Sequence, residues 1–207
     1  ADHSRTAAYA GGLDAEALLA QAAEIERLNS SGATGGVRLF SGTEADILAD
    51  GSLDYPDEVL ARLDYVVGSV HSAFRLGRDA MTERLIRAIH NPRLTILGHA
   101  TGRLLLRREG YDVDLEAVVS AAAEAGVVVE INAHPNRLDL DWREVRKAAA
   151  AGVLIAINPD AHSVDALEHV VYGVNVARKA GLEPRQILNC WSRTEVEAYL
   201  AERKQTG

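Results

Sequence analysis

Apolar residues in this chain come in short, nearly unbroken runs. Between the runs lie longer stretches where apolar residues recur every three or four positions. Val37–Glu44 ("VRLFSGTE"), Tyr65–His71 ("YVVGSVH"), Leu94–His99 ("LTILGH"), Gly126–His134 ("GVVVEINAH") and Val153–His162 ("VLIAINPDAH") are the runs. Segments so short and so apolar predict strands buried on both faces, as in parallel sheets. Gln186–Cys190 is a weaker last candidate. The intervening stretches predict helices. Asp14–Asn29 sets Leu18, Leu19, Ala22 and Ile25 on one face, and Arg78–His90 stops at Asn91-Pro92. Asp114–Ala125 opens on a capping aspartate and stops at Gly126, while Trp142–Ala151 and Val164–Ala180 stop at Gly152 and Gly181. Arg193–Lys204 is the last helix. Strand and helix alternate throughout, which specifies an α/β fold with a parallel sheet and right-handed crossovers.

The strand ends carry the chemistry. His71, His99, His134 and the pair Asp160/His162 stand at or just past strand-like runs; Glu44 ends the first run, and His3 occupies an equivalent place near the start. In a parallel α/β barrel all C-terminal strand ends share one face, so these residues would converge. Alternation along an extended chain would put Asn158, Asp160 and His162 on one side, and Glu130, Asn132 and His134 likewise. Imidazoles and carboxylates side by side are ligands for zinc, manganese or iron, and burying them without a cation is costly. A lone histidine is usually an ordinary polar residue; the weight here lies in several at equivalent positions. His90 and His169 follow no strand and read as ordinary helix residues.

Composition narrows the class. A chain of 207 residues with 47% hydrophobic but only 5% aromatic residues fits one domain with a core of Leu, Val, Ile and Ala. The single cysteine, Cys190, excludes an internal disulfide and a cysteine-based zinc site, and reads as a small buried hydrophobe. No apolar run reaches the roughly 18 residues of a membrane span, and the start of the chain lacks signal-peptide character, so the expectation is a cytoplasmic protein. A net charge of −8 argues against a general nucleic-acid binder. Yet eight arginines between residues 71 and 108 face only Asp79 and Glu83. Arg75, Arg78, Arg103, Arg107 and Arg108 flank the runs that end in His71 and His99, and guanidinium groups bind phosphate in a bidentate way. Arg103, behind Gly102, is the first choice for a phosphate contact and Arg75 the second. Arg84 and Arg87 are expected as helix-surface charges.

Six segments in order, "DHS" (Asp2–Ser4), "GTEADIL" (Gly42–Leu48), "DYVVGSVHS" (Asp64–Ser72), "ILGHATGRLL" (Ile96–Leu105), "EINAHPNRLDL" (Glu130–Leu140) and "INPDAHS" (Ile157–Ser163), resemble the polymerase-and-histidinol-phosphatase (PHP) domain. The likeness is greatest to the version at the C-terminal end of bacterial family X DNA polymerases. It implies a distorted (β/α)7 TIM-like barrel holding two to three divalent ions of manganese, zinc or iron. His3, Glu44, His71, His99, Asp160 and His162 would be the ligands, with Glu44 bridging. His134 departs from the family pattern and is expected as a rim residue contacting substrate. The family begins with a His-x-His strand and a further acidic ligand, neither of which precedes Ala1. The resemblance therefore implies a PHP domain over residues 1–207 that lacks its first strands and does not close a full barrel.

Ions a few ångströms apart would lower the pKa of bound water toward ~7 and clamp phosphate oxygens, so a metal-held hydroxide is the expected nucleophile. The first functional expectation is a 3′–5′ exonuclease and DNA end-processing module of a repair polymerase, receiving DNA through an upstream polymerase domain and the local arginines. The alternatives are a stand-alone phosphatase of a small phosphorylated metabolite and a non-catalytic scaffold.

Overall fold

A computed structural model of the chain describes residues 1–205, side chains at 8 and 9 excepted. Six strands form one all-parallel sheet in the order of the chain: β1 (Asp2–His3), β2 (Gly42–Asp46), β3 (Tyr65–Ser69), β4 (Ile96–Leu97), β5 (Val128–Asn132) and β6 (Ile155–Asn158). Seven α-helices accompany them: α1 (Ala15–Ser31), α2 (Asp57–Leu60), α3 (Arg78–Ile89), α4 (Leu115–Ala125), α5 (Trp142–Ala150), α6 (Val170–Ala180) and α7 (Arg193–Gln205). Asp14 and Asp114 cap α1 and α4 through their side chains, and Gly126 and Gly181 end α4 and α6 in the left-handed conformation. That conformation costs glycine nothing, which is why the stop signals are readable.

Alternation sorts the sheet into two faces. Val66, Leu97, Val129, Ile131, Ile155 and Ile157 pack outward against the helices in the main core. Val67, Ile96, Val128 and Ala156 form a separate apolar layer on the inner face. Above that layer, toward the C-terminal strand ends, the inner face turns polar. It lines a cavity of about 850 Å³ with Glu44, Glu130, Asn132 and Asn158 on its wall. Helix α7 lies across the opposite, N-terminal strand ends, where Arg203 donates to the carbonyls of Leu94, Ala125 and Gly126. The sheet curls so far that the His3 ring beside β1 lies 5.7 Å from the His162 ring beyond β6. Among the described residues β1 and β6 are not hydrogen-bonded to each other.

Several expectations need correction. The strand expected from Val37 starts only at Gly42; Val37 is 63% exposed and Leu39 is tied to Asn29 instead of a neighbouring strand. Gln186–Cys190 forms two 3-10 turns and a single parallel bridge, Ile155 to Ile187. Cys190 is consequently exposed, not a buried hydrophobe. The helix expected over Val164–Ala180 begins as a 3-10 turn, Asp165–His169, before α6. Arg87 is a surface charge paired with Glu83, but Arg84 is only 2% exposed. It donates to the carbonyls of Ile47, Leu48 and Ser72, fastening the loops that leave β2 and β3 to α3. No described helix is long and apolar enough to cross a membrane.

Candidate metal centre

The polar lip is built from strand ends. His3 pairs in register with Glu44 at the β1–β2 edge, and His71 and His99 follow β3 and β4. All three imidazoles reach the same carboxylate. Glu44 Oε1 lies 3.0 Å from His99 Nε2 and 3.4 Å from His71 Nε2, and Glu44 Oε2 lies 3.3 Å from His3 Nδ1. Donor atoms of His3, Glu44 and His71 lie within 4.8 Å of one another, a grouping able to hold a metal ion. Burial by itself would raise the Glu44 carboxyl, but hydrogen bonds from His71 and His99 and their charges outweigh it and hold it well below the usual carboxylate range. For His71, burial pulls down, while hydrogen bonds to Asp46 and Glu44 win and push it up to about 9. Burial lowers His3, with Glu44 opposing.

Asp160 and His162 complete the lip from the far edge. Asp160 Oδ2 accepts from Asn132 Nδ2 at 3.0 Å and lies 3.3 Å from Arg137 Nε. The chain does not stay extended through Pro159: Asp160 has φ +51. The left-handed turn there, not simple alternation, leaves His162 Nδ1 3.0 Å from the Asp160 carbonyl and its ring beside His3. His99 is also left-handed, at φ +21. Unfavourable backbone at two lip residues is the kind of strain that functional sites retain.

The other expected substrate contacts are spread along the rim. His134 packs its ring 5.3 Å from His169, which gives His169 a ring partner that its lack of a strand did not suggest. Burial lowers His134, and Asp160 opposes. Arg75 is exposed on the connection after β3. Arg103 donates Nε to the Arg137 carbonyl at 3.0 Å and Nη2 to the Leu138 carbonyl. It is thereby anchored, despite following Gly102.

Three further residues at the site, Asp46 and Glu130 buried and Arg137 partly so, were given no role by the linear pattern. Asp46 accepts from His71 Nδ1, which fixes the ring and turns Nε2 toward Glu44. Its own N–H is held by Ser4 Oγ and Asp54 Oδ1 at 3.1 and 3.0 Å. Glu130, on β5, accepts from the His99 N–H at 2.7 Å, Asn158 Nδ2 at 2.8 Å and Asn132 Nδ2 at 3.3 Å. Burial dominates there and pushes Glu130 up to about 7. Arg137 keeps a buried Nη1 with no hydrogen-bond partner among the described residues. The spacing Asp46-x₂₄-His71 could have prompted the first only with the strand register already known.

No family model matches the chain. It is 42% identical over 199 residues, 96% of its length, to the DNA polymerase/3′-5′ exonuclease PolX of Bacillus subtilis (strain 168), and spans 35% of that protein. It is 31% identical over 183 residues to a probable phosphatase of Thermoanaerobacter sp. (strain X514), covering 82% of this chain and 71% of the relative. A probable phosphatase of Clostridium acetobutylicum is 35% identical over 135 residues, 61% of this chain and 53% of that protein. A parallel α/β sheet, a histidine and carboxylate lip, and relatives of this identity and coverage together make the chain a member of the PHP-type domain family.

Proposed function

We propose that the chain is a metal-dependent phosphoesterase that trims DNA from its 3′ end. The curled sheet is read as the larger part of a distorted (β/α)7 barrel. The observation that carries the proposal is the convergence of three imidazoles on one ionised, partly buried carboxylate. A donor set of ring nitrogens and carboxylate oxygens fits manganese, zinc or iron. The buried Nδ1 of His3, 3.3 Å from Glu44 Oε2 but without hydrogen-bond geometry to it, fits that use as well. His3, Glu44, His71, His99, Asp160 and His162 would hold two to three ions. When bound, these supply Lewis acidity and make water acidic enough to attack at neutral pH.

The chain's own residues prepare that chemistry. Glu44 stays ionised across the working range. Asp46 fixes the orientation of the His71 ring through Nδ1, as carboxylates behind ligating histidines do. Glu130 fixes the backbone of His99, and Asn132 joins Glu130 to Asp160. Arg137 brings an unpartnered guanidinium N–H beside Asp160 and is the phosphate-binding arginine in this reading. Arg103 supports it through the carbonyls of residues 137 and 138; Arg75 and His134 contact substrate farther out. DNA would arrive through an upstream polymerase domain.

The 42% identity to a protein named as a polymerase and 3′-5′ exonuclease favours DNA as substrate. Coverage of 71% of a probable phosphatase supports a second reading, hydrolysis of a small phosphate ester. Glu44→Ala and Asp160→Ala, made in the intact protein, should abolish manganese-stimulated trimming and lower bound metal by mass spectrometry, while circular dichroism stays unchanged. Undiminished trimming in both variants would remove the assignment.

A further inference from the structure

The connection from β4 to α4 carries an outlier that the catalytic reading leaves unused. Leu104 and Arg108 exchange backbone hydrogen bonds at 2.9 and 2.8 Å, closing a tight reversal with Leu105, Leu106 and Arg107 at its tip. Leu106 is 107% exposed and has φ +63. Left-handed backbone disfavours leucine, and a fully hydrated apolar side chain contributes nothing to the core. The tip is nonetheless firmly held. Leu105 N–H donates to the Asn136 carbonyl at 2.7 Å, and Arg108 donates Nε and Nη2 to the Gly102 carbonyl while lying 4.0 Å over the Phe74 ring. Gly102 itself is left-handed, and a Cβ there would come within 2.6 Å of the Tyr111 ring, so the base of the reversal is closely packed.

The position of the tip gives it a ligand. The loop leaves the C-terminal end of β4, as His99 does, and is tied to the segment in which Arg137 meets Asp160. Exposed Arg107 and Arg75 stand on the same end of the sheet. A rigid apolar tip with a basic surround complements a ligand that offers a flat apolar face and an anionic edge. A polynucleotide end has both; a small phosphorylated metabolite has no base to present beyond the pocket. Proteins that handle nucleic acid use leucine among the apolar wedges that abut base steps.

We propose that Leu106 is a wedge that seats against the bases next to the scissile phosphate and so selects polynucleotide 3′ ends over small esters. The proposal rests on the nuclease reading above and adds the element that discriminates substrate size. Lipid is the competing occupant of an apolar tip among arginines, but a single leucine is a poor anchor by the area rule for membrane surfaces.

The test uses Leu106→Gly, Leu106→Ala and Leu106→Phe in the intact protein. Glycine suits the left-handed backbone, so the Gly variant should melt at the same temperature or higher, which separates lost function from lost folding. The expected result is a fall of about ten-fold in kcat/KM for oligonucleotide trimming in the Gly and Ala variants, mostly through KM. Hydrolysis of bis(p-nitrophenyl) phosphate stays unchanged, and Phe restores trimming. A fluorescent adenine analogue at the penultimate position should report wild-type binding and lose its signal with Gly. Unaltered oligonucleotide trimming overturns the wedge alone, as does an equal loss on the small ester. Hydrolysis of the small ester without any trimming by wild type overturns the nuclease reading and the wedge with it. Leu106-dependent pelleting with phosphatidylserine vesicles, with trimming intact, assigns the tip to lipid instead.

Discussion

Glu44 and Glu130 stand on the inner face of the same sheet, the first largely and the second fully buried, yet their surroundings drive them in opposite directions. Glu44 on β2 faces three imidazoles and is held ionised far below the usual range. Glu130 on β5 accepts only from two amides and a peptide N–H; its complete burial, with the charge of Glu44 adding to it, outweighs those donors and the more distant charge of His99 and pushes it up to about 7. Burial therefore does not decide the charge of a carboxylate; the character of its donors does. Cationic partners offset desolvation, and neutral ones offset only part of it. Carboxylates whose environments drive their pKa values apart on one wall can divide an ionised and a protonated role between them.

The strongest way to break this contrast is Glu130→Gln. Folding takes up a proton at Glu130 between its ordinary 4.5 and about 7, so this residue makes wild-type stability fall as pH rises through that window. Relative to the Gln variant, urea denaturation of metal-free protein should record a loss of up to about 3 kcal/mol across the window. A difference independent of pH would mean that Glu130 is ionised like Glu44. Next in size, Asp46→Asn removes the charged anchor of His71. Manganese affinity measured by calorimetry should drop about 10- to 100-fold, while the Glu130 window stays in place. Unchanged affinity would reduce Asp46 to a fold-supporting role. Smallest is Asn158→Ala, which deletes one neutral donor to Glu130. The upper edge of the stability window should move up by about one pH unit; a downward movement would show that the amide does not favour the ionised form.

Much of the frame was legible because its determinants are local. Asp14, Asp114, Gly126 and Gly181 act within one helical turn, and the apolar runs at β3, β5 and β6 need only their own residues to declare themselves. The lip histidines were legible for a topological reason: parallel strands deliver their C-terminal ends to one side. What escaped depends on partners distant in the chain. An acid in "VVVEIN" reads as a polar interruption until the inner face and Asn158 are known. Arg84 sits in a block of arginines, and nothing in the block says which one turns inward to three carbonyls. Asp160 was placed correctly just past a strand end, but extended backbone was the wrong geometry: it turns left-handed where its carboxylate meets Asn132 and Arg137, partners distant in the chain.

Strict sequential strand order also has a consequence for biogenesis. Each new strand adds to the edge its predecessor has just completed, so the sheet can lengthen in the order of ribosomal synthesis without waiting for distant segments. Helix α7 returns through Arg203 to carbonyls laid down 78 and 109 residues earlier. Helix α7 thus lies like a bolt across the floor of the sheet, leaving the polar rim at the other end untouched.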